Sequence, residues 1–190
     1  MQKRIIIICL ILLLGTSCAE HFAPKPRGYF RIDLPEKKYV VYDSLCPFSF
    51  EYPAYAAINK DADKGAEPCW LNMNITRLNA KIHLSYKSIQ KNVGNFTEDA
   101  HTLAYKHTIK ADAINEKVFE NTEKKVYGIL YEITGNAASS VQFYVTDSTR
   151  HFLRGSLYFN AHPNKDSLAP LVDFIKKDIV HMIETFKWKD

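Results

Sequence analysis

Asp147, Ser148 and His151 bring the residue types of a nucleophilic triad within five positions of each other. Such a triad needs its three side chains in one hydrogen-bonded chain, with an oxyanion hole beside it. The segment Asp147 to Arg150 instead separates two apolar alternating runs, so the composition DSTR predicts a turn capped by Asp147 and Ser148. Asn59, Asp61 and Asp63 have the alternate spacing of a calcium loop, but Gly65 falls one place late and Trp70 stands where a bidentate Glu is required. A solvated loop is the reading that remains. His101 and His107 are six apart on a predicted helix, a separation that does not place two ligands on one metal. Cys46 and Cys69 have no paired histidines nearby and make a poor zinc site. As an even pair in an exported chain they predict a disulfide. Neither a G-x-S-x-G elbow nor a glycine-rich phosphate loop is present, so the residues point to no enzyme and no cofactor.

The chemistry left is recognition. Ser140, Gln142, Tyr144, Phe152, Arg154, Ser156 and Tyr158 alternate with an apolar set along the chain. Tyrosine and arginine combine contact area with hydrogen-bonding ends, and both are common where protein partners meet. Gln142, Tyr144, Arg154 and Tyr158 are therefore candidate partner-binding residues; the competing reading is a solvated or helix-covered face.

These residues must be positioned by a meander of three antiparallel strands over Val126 to Asn160. Tyr127, Ile129, Tyr131 and Ile133, then Val141, Phe143 and Val145, then Leu153, Leu157 and Phe159 fall on alternate positions, the period of a sheet with one buried face. GNAAS (Gly135 to Ser139) and DSTR supply the reversals. Upstream, short strands are predicted over Gly28 to Pro35, Tyr39 to Tyr42 and Phe48 to Tyr52. Trp70 to Thr76 and Lys81 to Tyr86 read as a hairpin turned by Leu78 to Ala80. Asn95 with Glu98 resembles a capping box before a helix over Asp99 to Ala111, with Ala100, Leu103, Ala104 and His107 on one face. Strand character returns at Ala113 to Asn121. After Asp166 or Ser167 as N-cap, Leu168, Leu171, Val172, Ile175, Ile179, Met182, Ile183 and Phe186 form an apolar stripe, with Pro170 tolerated in the first turn. The fold class expected is α+β: an antiparallel sheet covered by two main helices.

Lys3 and Arg4 precede an apolar run from Ile5 to Leu14, followed by Gly15, Thr16, Ser17 and Cys18. That order is a secretory signal, and ten apolar residues are too few to span a bilayer, which takes about 20. Small residues before a cysteine resemble a bacterial lipobox, which implies cleavage before Cys18 and acylation of that residue. The alternative is an ordinary exported protein in which Cys18 is incidental. Residues 1–17 are thus a signal peptide, 18–28 a lipidated N-terminus and proline-containing tether, and 29–190 one globular domain. Of 25 basic residues, Lys3 and Arg4 lie in the signal; the 23 left against 21 acidic ones are too balanced to imply nucleic acid as a partner.

Several stretches carry a resemblance: PKPRGYFRIDLPEKKY (Pro24 to Tyr39), CPFSFEYP (Cys46 to Pro53), IHLSYK (Ile82 to Lys87), AYKHTIKADAI (Ala104 to Ile114), GNAASSVQFYVTDSTRHFLRGSLYFN (Gly135 to Asn160) and ETFKWK near the end. They are similar to the gliding motility lipoprotein GldD family of Bacteroidetes over nearly the whole mature chain. The resemblance implies a cell-envelope lipoprotein required for gliding and linked to the type IX secretion system. Its implied partners are other envelope proteins of that machinery, with the membrane reached through the lipid and with no catalytic residues to carry over. The order of elements is also similar to the PsbP/Mog1-like α/β sandwich. A periplasmic module binding an envelope glycan or peptidoglycan fragment is the alternative function. Ala19, directly after Cys18, carries no retention cue for one membrane over the other.

Overall fold

Seven antiparallel strands form the central sheet of the computed structural model, which describes residues 32–189. The signal peptide, Cys18, the tether and the first half of the Gly28 to Pro35 strand candidate lie outside those residues, and Ile32 to Pro35 are not in a strand. In chain order the strands are β1 (Tyr39–Asp43), β2 (Phe48–Pro53), β3 (Ala57–Lys60), β4 (Leu71–Ile75), β5 (Ala80–Ser88), β6 (Ala111–Asn121), β7 (Val126–Gly135), β8 (Ser139–Thr146), β9 (His151–Phe159) and β10 (Lys187–Trp188). Helix α1 spans Val93–Tyr105 and helix α2 spans Lys165–Thr185. The large sheet runs β3-β4-β5-β9-β8-β7-β6, and a small sheet runs β1-β2-β10. The fold is α+β, with antiparallel sheets and two helices.

The main core lies on the inner face of the large sheet. Leu71, Met73, Ile82, Leu84, Leu130, Val141, Phe143, Leu153 and Leu157 point there, toward Ile175, Ile179, Met182 and Ile183 of α2. Phe48 and Phe50 of β2 close the layer, stacked on Phe186 with ring centroids 5.8 and 6.0 Å apart. Helix α2 begins one turn earlier than its stripe: Asn164 is the N-cap, and its Oδ1 accepts from the Ser167 N–H at 3.1 Å.

A second cluster covers part of the outer face. Ala100 and Ala104 of α1 pack with Ile89, Tyr131, Ile133, Tyr144 and Phe152. This corrects two sequence expectations. The sheet has two buried faces over β7 to β9, so Tyr131 and Ile133 belong to the α1 side while Val126 and Leu130 face the main core. A strand covered on both sides need not alternate, and Ile129, Leu130 and Tyr131 in succession are the mark of that. Helix α1 also starts at Val93 rather than after an Asn95 cap, because Val93 and Phe96 pack on this second cluster and tertiary contact overrides the local capping pattern. It ends at Tyr105, since Ala111 is already paired with Gly135 in the sheet.

Candidate functional site

One register row crosses the outer face of the whole large sheet. Asn59 lies opposite Asn72, Asn72 opposite His83, His83 opposite Ser156, Ser156 opposite Gln142, Gln142 opposite Tyr131 and Tyr131 opposite Glu116. Opposed residues share a face, so alternation alone places these seven polar or phenolic side chains side by side. Three atoms in this row, Asn72 Oδ1, Ser156 Oγ and Gln142 Nε2, are buried with no hydrogen-bond partner among the described residues. Buried polar groups are usually paired, so three in one row mark an unusual surface.

Helix α1 splits the face into a covered and an open part. On the covered part Tyr144 stacks on Phe152 at 5.3 Å, and Phe96 reaches the same ring at 5.5 Å. Gln142 and Tyr144 are therefore 1% and 8% exposed, which corrects the expectation that they form an accessible patch. Arg154 and Tyr158 keep partial exposure on the open side. Burial pushes the Tyr144 phenol above its ordinary value, and Glu116 adds to this.

Arg154 is the half-buried cation of this region, with Glu116 at the end of the row. Its Nη2 donates to Gln142 Oε1 at 2.5 Å, and no carboxylate among the described residues lies within ion-pair distance of it. Burial lowers its pKa, while the Tyr158 phenol acts the other way; a guanidinium nonetheless stays protonated in proteins. His107, in the short turn after α1, is pushed down by burial and by the Arg154 charge. A half-buried guanidinium that, among the described residues, is held only by an amide oxygen is poised for an anionic group, which would supply two parallel acceptors.

The other sequence candidates fall elsewhere. Asp147 caps its turn: its Oδ1 accepts from the backbone N–H groups of Thr149, Arg150 and His151 at 3.0, 2.8 and 2.8 Å. Burial alone would raise the Asp147 pKa; these bonds outweigh it and hold the carboxyl below the usual range. The His151 ring lies against Trp188 at 5.1 Å, with Nδ1 2.8 Å from the Tyr86 hydroxyl. Asp61 Oδ1 accepts from the Asp63 N–H at 3.1 Å, an ordinary side-chain turn. Among the described residues no three His, Cys, Asp or Glu side chains converge as metal ligands. Cys46 and Cys69 are joined by a disulfide with Cα atoms 5.7 Å apart.

A cluster that the sequence reading passed over surrounds Asp178. This carboxylate, 2% exposed, accepts from Lys37 Nζ at 2.6 Å, from the Tyr39 hydroxyl at 2.8 Å and from the Tyr55 hydroxyl. Burial and the Asp178 hydrogen bond push Tyr39 up to about 12 and raise Tyr55 as well. Every member is satisfied within the cluster, which ties the segment before β1 to α2. The signal was available in principle, since Asp178 lies three residues after Ile175 and four before Met182 on the apolar stripe.

The layers and register define the class: an α+β sandwich of the PsbP/Mog1 type. The solution structure of cyanobacterial PsbP (CyanoP) from Synechocystis sp. PCC 6803 superposes with a TM-score of 0.50, covering 87% of this chain and 99% of that one at 12% identity. A model of the family described as gliding motility lipoprotein GldD matches residues 19–188, and the chain belongs to that family. It is thus a gliding motility lipoprotein of the cell envelope; no helix among the described residues is long and apolar enough to cross a membrane. Comparison with curated protein sequences finds no match.

Proposed function

We propose that this protein is a non-catalytic accessory or assembly factor of the gliding apparatus, linked to type IX secretion. In this reading residues 1–17 are removed and an acylated Cys18 holds residues 29–190 at the membrane through the 18–28 tether. The domain, facing the periplasm, docks onto other envelope proteins of the machinery. Arg154 and Tyr158 make the contact, with Gln142 holding the Arg154 guanidinium and Tyr144 opposite Arg154 in the sheet. The observation that carries this is Arg154, a half-buried cation whose one side-chain hydrogen-bond partner among the described residues is the Gln142 amide. Such a group gains most from a partner that brings a carboxylate to it and excludes water.

In-cell crosslinking of tagged protein tests the reading, comparing the native chain with Arg154→Met/Tyr158→Ala. Motility or secretion components captured by the native chain and lost in a folded variant support docking here. Capture that persists places the interface elsewhere. Cys18→Ala left in the membrane fraction would overturn the lipid anchor. A second activity, binding an envelope glycan, is favoured by a depression of about 550 Å3 at the open end of the outer face, lined by Asn74, Thr76, Asn79, Lys81, His83 and Tyr158 among others.

A further inference from the structure

We infer that this depression is a binding site for an acidic oligosaccharide, a hydroxyl-rich chain bearing carboxylate groups, with Lys81 reading the charge and Tyr158 forming the stacking platform. The inference rests on the glycan reading above and names the ligand's chemistry.

The lining sets the ligand class. Asn74 and Asn79 direct their Nδ2 groups to the backbone carbonyls of Asn72 and Asn160 at 3.3 and 2.7 Å. Their side-chain Oδ1 atoms are left as acceptors without a donor among the described residues, which suits ligand hydroxyls. His83 stands edge-on to Tyr158, ring centroids 5.6 Å apart, and the two atoms orphaned on either side of it, Asn72 Oδ1 and Ser156 Oγ, lie in the same row. Ser156 is 2% exposed, so its hydroxyl is a buried polar group with no partner among the described residues, next to His83 of the lining. Burial and then Lys81 hold the His83 imidazole below its usual value, opposed by Asp61 and Asp63, so at neutral pH it offers one donor and one acceptor.

Charge selects among glycans. Lys81 is the charged lining residue; it makes no ion pair with any described residue, and the lining contains no carboxylate. An ammonium without an ion-pair partner among the described residues, set among neutral amides, adds selection for an anionic group. Ala80 and Phe159 complete the lining beside Tyr158, so the depression offers apolar and ring surface next to its amides and its ammonium, the mixture that a sugar chain with ring faces and hydroxyls can use.

The test uses the full-length protein in detergent micelles, titrated calorimetrically with an octamer of galacturonic acid and with maltooctaose. The acidic octamer is expected to bind at least tenfold more tightly than the neutral one. Lys81→Gln should remove most of that difference, and Tyr158→Ala should weaken both sugars. Lys81 lies on the outer face away from the main core, so an unchanged melting temperature separates lost binding from lost folding. The inference is overturned if neither sugar binds at millimolar concentration, or if Lys81→Gln binds the acidic octamer unchanged. Tighter binding of polyglutamate than of the octamer would also overturn it, indicating a peptide site. Lys81→Gln leaves Arg154 and Tyr158 in place, so crosslinking to partner proteins should persist in it; Arg154→Met alone, which spares the lining of the depression, should lose capture and keep sugar binding, and this pair of single variants keeps the two readings apart.

Discussion

Asp178 shows what a single buried carboxylate does in this fold. At 2% exposure it would be intolerable alone, and it is held by an ammonium and two phenols drawn from the chain around β1 and β2. Removing it leaves Lys37 without its counter-ion, so Asp178→Ala should lower stability to urea by about 3 kcal/mol, at the low end for a broken buried pair because Lys37 keeps some exposure. The tyrosines add a pH signature. Both hold their protons more tightly when folded, so their contribution is intact below pH 10 and is lost as pH rises through the Tyr39 value of about 12. Urea midpoints measured from pH 9 to 12 should fall in the native protein and fall less steeply in Tyr39→Phe/Tyr55→Phe. Little of this was legible beforehand. Hydrophobic periodicity counts apolar residues, so a charged member of the α2 stripe is invisible to it, and its partners lie more than 120 residues away. Asp147, by contrast, was readable as a turn cap because all its partners are local.

At the scale of elements the meander came through with its three strands and two reversals, because antiparallel neighbours close in sequence leave a local pattern. What alternation could not reveal was which parity of β7 faced which helix. Ile129, Leu130 and Tyr131 are apolar or aromatic in succession, and only the pairing of Leu130 with Phe143 assigns Leu130 to the inner face. The same pairing logic shifts the recognition residues: Gln142 and Tyr144 share the α1 face and are covered, while Tyr158, farther along the sheet, stays open. Gly155 tests how tightly these strands are matched. It lies opposite Phe143 across the β8–β9 ladder, and a Cβ there would come within 2.1 Å of the Phe143 ring. Phe143 is 1% exposed and has nowhere to move. Gly155→Ala should therefore destabilise by about 1–3 kcal/mol. Adding Phe143→Leu should recover part of that loss, so that the double variant is less unstable than the two single effects summed, by about 0.5 kcal/mol or more. Additive effects in that cycle would mean the ring is not what the new methyl meets.

For the whole molecule, the division into two sheets depends on contacts that sequence patterns do not carry. β10 is two residues long and pairs with β2 from the far end of the chain, Lys187 opposite Ser49 and Trp188 opposite Phe48. No periodicity can be read from two residues, yet this pairing helps make the β2 layer that closes the main core. The disulfide joins the same two sheets, since Cys46 precedes β2 and Cys69 precedes β4. Its separation of 23 residues corresponds, on the chain-entropy model, to about 3 kcal/mol of stabilisation through the unfolded state. Cys69 adds a second effect, because its backbone sits at φ 66°, a left-handed conformation that a residue with a Cβ adopts at a cost. Two replacements separate these contributions. Cys46→Ala/Cys69→Ala loses the crosslink and retains the strain, whereas Cys46→Ala/Cys69→Gly loses the crosslink and relieves it. Urea unfolding should place the alanine pair about 3 kcal/mol below the native protein, and the glycine pair about 1 kcal/mol above the alanine pair. Both should keep the native near-UV signal of the Phe48, Phe50 and Phe186 stack, because that packing does not depend on the bridge. If the glycine pair is no more stable than the alanine pair, residue 69 has left its left-handed conformation once the bridge is gone, and the disulfide, rather than the β3–β4 loop, is what holds it there.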